Sequence, residues 1–167
     1  MWAIGTHNDE NYYVLDLIRD RLNLAERTRM LFDWHRKWKP MRVGYEKVSM
    51  QADIEHIKSE MENQQYRFHI VALEPKNVSK KERIRRLVPL FEQHKIWLPR
   101  TRNYVNTQGR VVDMVNEFIE EEYMLFDACL HDDMLDGLSW MTAPEMHIQF
   151  PSSEHNQRIE YDDTGVI

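Results

Sequence analysis

The chain has 167 residues and a mass of 20.3 kDa, which suits one domain and is short for two. Hydrophobic residues make up 42% and charged residues 30%, which argues for a packed core and against disorder of the whole chain. A formal charge of −6, from 22 basic and 28 acidic residues, argues against a generic nucleic-acid-coating protein, yet leaves room for a local basic track beside an acidic site.

The first elements read as a hairpin. Trp2 to Gly5 is a short apolar run, residues 6–11 a polar turn, and Tyr12 to Ile18 a strand rich in aromatic and branched residues. Asn23 then begins a helix as N-cap, with Glu26 as its capping-box partner. Leu24, Leu31, Trp34 and Trp38 form its apolar face, flanked by Met30 and Phe32, and Pro40 stops it. Met41 to Val48 reads as a buried strand carrying Glu46. Ser49 caps a second helix with Met50, Ile54, Ile57 and Met61 at helical spacing, and Tyr66 to Leu73 is a further strand. Ser79 caps a helix reaching about Gln93, with Glu82 as box partner, and Pro89 inside it predicts a kink or an early end. Ile96 to Leu98 is a short strand, residues 100–109 a polar loop, and Val111 to Tyr123 an amphipathic stretch with Val111, Val112, Val115, Phe118 and Ile119 inward. A last helix runs from about Asp132 to Trp140, and from Ser152 the chain reads as a poorly ordered tail. Strands alternating with helices predict an α/β domain with helices packed on a mixed sheet.

Several chemistries are excluded at this stage. The five glycines, Gly5, Gly44, Gly109, Gly137 and Gly165, lack the spacing of a P-loop or a dinucleotide-binding turn. The single cysteine, Cys129, forbids an intramolecular disulfide and a CxxC metal site, fits a reducing compartment, and reads as a buried thiol. No apolar run approaches a membrane span, and the early polar and acidic residues do not read as a signal peptide. His35, His56, His69 and His94 lack ligand spacing and read as surface or strand residues.

Three features can carry chemistry. Glu46 sits in a strand otherwise suited to burial, where a carboxylate is rare unless paired, metal-bound or at a solvated strand end. His131-Asp132-Asp133-Met134-Leu135-Asp136 places three carboxylates and an imidazole at a helix start. Capping explains one or two of them, but Asp133 and Asp136 share a face and repel unless a cation lies between them. Such oxygen clusters suit Mg²⁺ or Mn²⁺, and also occur as solvated helix starts. Lys80, Lys81, Arg83, Arg85 and Arg86 crowd a helix start against its dipole. They form either a solvated face or a phosphate-binding patch, with Arg19, Arg21, Arg27 and Arg29 as a weaker basic group.

In order, the strings Tyr13-Val14-Leu15-Asp16, Arg19-Asp20-Arg21-Leu22-Asn23, Leu31-Phe32-Asp33-Trp34-His35-Arg36-Lys37-Trp38-Lys39-Pro40, Val43-Gly44-Tyr45-Glu46-Lys47, Met50-Gln51-Ala52-Asp53-Ile54, Lys81-Glu82-Arg83-Ile84-Arg85-Arg86-Leu87-Val88-Pro89-Leu90-Phe91 and His131-Asp132-Asp133-Met134-Leu135-Asp136 resemble the C-terminal nuclease domain of phage large terminase subunits. The likeness spans residues 1–142, leaving 143–167 as a tail. It implies a ribonuclease-H-like α/β fold, a mixed sheet flanked by helices, and two-metal hydrolysis of DNA by paired Mg²⁺ or Mn²⁺ ions during genome packaging. It implies Glu46 and Asp133 as catalytic metal ligands, Asp136 as a further ligand, and His131 and Asp132 as supporting groups. It implies Lys80, Lys81, Arg83, Arg85 and Arg86 as contacts to double-stranded DNA. The implied partners are a terminase ATPase segment, the portal and the small terminase subunit, with no membrane, in the host cytoplasm. The family's strand bearing the first catalytic Asp would precede Trp2, and Asp16 is out of position to replace it. The alternatives are a catalytically incomplete DNA-binding or assembly module, a split-terminase fragment needing a partner chain, and an unrelated α/β domain with a solvated acidic helix start.

Overall fold

The computed structural model describes residues 1–46, 51–126 and 128–152. The expected cap Ser49, the first apolar position Met50 and, of the expected tail, residues 153–167 lie outside the described residues.

Strands and helices alternate in a mixed α/β chain. Strands β1 (Trp2–Thr6) and β2 (Tyr12–Leu17) form the expected antiparallel hairpin, Trp2 opposite Leu17 and Thr6 opposite Tyr12. Helix α1 (Leu24–Trp38) starts in the expected capping box. The Glu26 amide donates to Asn23 Oδ1 at 3.0 Å, and the Asn23 amide donates to Glu26 Oε2 at 2.9 Å. The buried residues of α1 are Thr28, Leu31 and Phe32, so Phe32, read as a flank, is its centre. β3 (Val43–Glu46) and β4 (Ile70–Leu73) are parallel, joined by the crossover helix α2 (Gln51–Asn63). β3 begins two residues later than expected, with Met41 exposed, while Lys47 and Val48 of the expected strand lie outside the described residues; β4 begins four residues later than expected.

The basic segment folds as α3 (Lys80–Arg85), capped by the Ser79 side chain, and a separate α4 (Val88–Glu92). The break falls where Pro89, lacking an N–H, interrupts helical pairing. β5 (Ile96–Trp97) pairs parallel to β2. The expected polar loop contains β6 (Asn103–Val105), which pairs with β7 (Val111–Asp113) in a hairpin turned at Gly109, whose φ is 75°. The amphipathic stretch is therefore not one element. Val111 is exposed in β7, and helix α5 (Met114–Glu117) begins only where Asp113 caps it. α5 continues as a π-helical segment (Phe118–Tyr123), and α6 (Asp133–Ser139) leads into 3₁₀ turns at Trp140–Thr142 and Pro144–Met146.

The strands form three small sheets, β1-β2-β5, β3-β4 and β6-β7, where one mixed sheet was expected. Two cores go with them. One gathers Val14, Leu17, Ile84, Leu87, Met114, Val115, Phe118, Met134, Leu135 and Leu138. The other gathers Leu31, Phe32, Val43, Ile57 and Met61. Strand alternation assigns the faces of β3. Val43 and Tyr45 turn toward α1 and α2, where the Tyr45 hydroxyl donates to Asp53 at 2.9 Å. Gly44 and Glu46 turn the other way. A Cβ on Gly44 would lie 2.7 Å from Leu73 Cδ1 and 2.8 Å from Met146 Sδ, so any larger residue would have to displace these two side chains.

Candidate functional site

The site is built where α3 packs on α6. Asp132 stands at the N-cap position of α6, Asp133 opens the helix, and Asp136 follows one turn on. The Asp132 side chain makes no cap hydrogen bond. The helix start is satisfied instead by Glu122, fully buried in the π-helical segment. Its Oε2 accepts from the Met134 amide at 2.9 Å and the Leu135 amide at 2.8 Å. That arrangement leaves all three aspartates free of capping duty.

They converge on a cation. Lys80 Nζ lies 2.6 Å from Asp132 Oδ1, 3.5 Å from Asp133 Oδ1 and 3.7 Å from Asp136 Oδ2. Burial alone would lower the Lys80 pKa, but the Asp132 hydrogen bond and the charges of Asp136, Asp132 and Asp133 outweigh it and hold it above the ordinary lysine value. Arg83 grips Asp136 through Nε at 3.1 Å and through Nη2, and its guanidinium stacks on the Trp140 ring with 4.0 Å to the centroid. The apparent conflict between a basic helix start and the helix dipole is thus resolved by facing acids.

Glu46, at the end of β3, feels the charges of this cluster. It is exposed as a residue, yet desolvation of its carboxyl raises its pKa, and the negative charge of Asp136 raises it further against the opposing charges of Arg83 and Lys80. Glu46 and Asp136 therefore share an electrostatic environment, as do the two basic residues expected on a DNA-facing surface. His131 and Asp133 are exposed, and Asp136 is half-buried. Of the basic group, Arg83 is buried, while Lys81, Arg85 and Arg86 are exposed.

Other ionic residues are committed elsewhere. Asp16 is buried, with Lys37 Nζ at 3.1 Å and an ion pair to Arg102. Its neighbour Leu17 turns into the core holding α6, so Asp16 points to the opposite face of β2. Arg19 pairs with Glu117, Glu121 and Glu122, and Arg27 lies 2.7 Å from Asp53, so the weaker basic group forms no continuous patch. His35 is neither surface nor strand. It sits in α1, half-buried, its ring stacked on Phe68 at 4.1 Å and its Nδ1 2.8 Å from the Tyr66 hydroxyl. Cys129 is half-buried, and burial raises its pKa.

Among the described residues no group of three or more His, Cys, Asp or Glu side chains is drawn close enough to hold a metal ion. The donor chemistry nonetheless fits a hard divalent cation, since the converging groups are carboxylates. The Lys80 ammonium occupies the space toward which Asp132, Asp133 and Asp136 turn. No helix among the described residues is long and apolar enough to cross a membrane. Comparison with protein-family models, curated proteins and solved structures finds no match for the chain.

Proposed function

We propose that this chain is a metal-dependent DNA endonuclease module of the large-terminase type, with a ribonuclease-H-like arrangement, acting in phage genome packaging in a bacterial host. The observation that supports the reading is that the charge of Asp136 acts on the Glu46 carboxyl, although the two lie 90 positions apart in the sequence and only the resemblance had paired them. Glu46, Asp133 and Asp136 would hold Mg²⁺ or Mn²⁺, which supplies activation of water and stabilisation of the leaving oxygen in phosphodiester hydrolysis. Within the chain, Arg83 fixes the Asp136 carboxylate, Glu122 fixes the start of α6, and His131 and Asp132 border the ligands. Lys81, Arg85 and Arg86 supply exposed positive charge for the DNA backbone. A terminase ATPase segment, the portal and the small subunit are the partners this reading entails.

A second reading has an observation in its favour. The acids are already neutralised in part by Lys80 and Arg83. A DNA-binding or assembly module, or a terminase fragment completed by a partner chain, keeps such a site without cutting. Plasmid cleavage in Mn²⁺ separates the two. The nuclease reading expects nicking that Glu46→Ala and Asp133→Ala both abolish. Salt-sensitive DNA binding without cleavage by folded protein refutes autonomous nuclease activity and favours the second reading.

A further inference from the structure

The first core is left open along β5. That strand stands at the edge of its sheet, with β2 as its one strand partner among the described residues. Beside it lies a groove of about 380 Å³ walled by Phe91, Ile96, Leu98, Ile119 and Tyr123. Apart from His94 its lining is aromatic or aliphatic, and Trp97 and Tyr123 are exposed there. A free edge offers backbone groups to an added strand, and an apolar groove offers burial to that strand's side chains.

The chain itself leads to this groove. Thr6 Oγ1 donates to the Gln149 carbonyl at 2.8 Å, and the Phe150 ring meets Tyr12 edge-on with 5.1 Å between centroids. Thr6, Tyr12 and Ile96 lie side by side across β1, β2 and β5. Residues 149 and 150 therefore step across the sheet from β1 to β2, and the next strand in that direction is β5. Ile148, Tyr12, Ile96, Phe91 and Ile119 all pack on the first core, which puts the crossing and the groove on one face of the sheet.

We propose that residues 157–163 of the same chain dock on this groove as a strand added to the free edge of β5, with Ile159 and Tyr161 seated in it. The sequence after Ser152 is polar on average, but in Arg158-Ile159-Glu160-Tyr161 apolar and charged residues alternate as in a half-buried strand. The reach suffices. The stretch from 153 to Ile159 spans up to about 25 Å when extended. A strand added outside β5 would lie only about 10 Å from β2, where Phe150 is packed. Charge agrees as well. Entering level with Ile96, the segment runs parallel to β5, which carries Asp162 and Asp163 toward Arg100. Arg100 is exposed and makes no ion pair among the described residues. Docked in this way, the segment closes the open side of the first core.

The test is a nitroxide spin label on the full chain, read by nuclear magnetic resonance of the tryptophan indoles. Cys129→Ser removes the one native thiol, with Cys129→Ala as the second variant should the first not fold, and Thr164→Cys supplies the attachment point. The Trp97 indole signal should broaden several-fold relative to the same chain with the label reduced. Ile159→Ser with Tyr161→Ser should abolish that broadening, while amide exchange in the first core stays as it was. Amides 158–161 should exchange at least tenfold more slowly in the parent chain than in the double-serine chain. A Trp97 signal that the label leaves sharp overturns the proposal. So does broadening that survives the double-serine change, because the apolar pair is then not what docks. Labelled chain mixed with isotope-labelled chain lacking the spin label gives the remaining outcome. Broadening of Trp97 only in that mixture assigns the groove to the tail of a second copy and overturns docking within one chain.

Discussion

Glu122 should be among the most costly single residues to truncate outside the apolar cores. It is fully buried, accepts two amides at the start of α6, and receives Arg19 Nη1 at 3.0 Å. In Glu122→Ala both amides lose their acceptor, at about 1–3 kcal/mol each. Arg19 keeps Glu117 and Glu121, so the ion-pair loss is partial. The sum is about 3–5 kcal/mol, within the range for breaking a buried charge pair. At this chain length that lowers the melting temperature by on the order of 10 °C. Glu122→Gln keeps an acceptor and should lose about half as much. Urea titration followed by tryptophan fluorescence reads the change, because Trp2 Nε1 donates to the Met134 carbonyl on the same helix at 3.0 Å. A Glu122→Ala loss below about 1 kcal/mol, the scale of an ordinary surface change, would refute the assignment of Glu122 as the anchor of α6.

Gly44→Ala should destabilise by about 1–3 kcal/mol in thermal melts, because the added methyl meets Leu73 and Met146 below van der Waals contact. Asn23→Ala should cost about 1 kcal/mol through loss of the capping box, read by the same melts. The pKa of Glu46 is raised in the folded protein, so its ionisation opposes folding. Its contribution is favourable at low pH and is lost as pH rises from the ordinary carboxylate range through the higher folded value. Glu46→Gln should therefore be more stable than wild type near neutral pH, with the advantage vanishing in acid. Parallel denaturation curves at both pH values check this, and an advantage that grows in acid would contradict it.

Local chemistry was legible wherever one side chain and its near neighbours decide the outcome. Asn23 with Glu26, Ser79 as a cap and the break at Pro89 all follow from short-range hydrogen bonding. The hairpin from Trp2 to Leu17 follows from strand composition and a polar turn. What sequence reasoning missed depends on partners far along the chain. Nothing near Glu122 marks it as the cap of a helix beginning eleven residues later, and a run of glutamates reads as a solvated face. Asp16 gave a weak signal as a carboxylate in an apolar strand, but only Lys37 and Arg102 explain it. The β6–β7 hairpin was obscured by polar residues around it, although Gly109 marked its turn. At the candidate site, the acids and the basic helix were both visible. That they pair with each other was not, because sign alone suggested two separate external ligands.

The two cores divide the chain in a way that bears on local unfolding. The residues of the second core all fall between positions 31 and 61, within one unbroken length from α1 to β4, whereas the first core is assembled from both flanks. Such a continuous length is suited to open as a single cooperative unit while the flanks stay folded. Glu46 belongs to that length, and Asp133 and Asp136 belong to the flanks. Amide exchange in β3 and β4 would then report the same event that separates the acids of the site, linking the slow breathing of one core to the integrity of a centre that neither core contains alone.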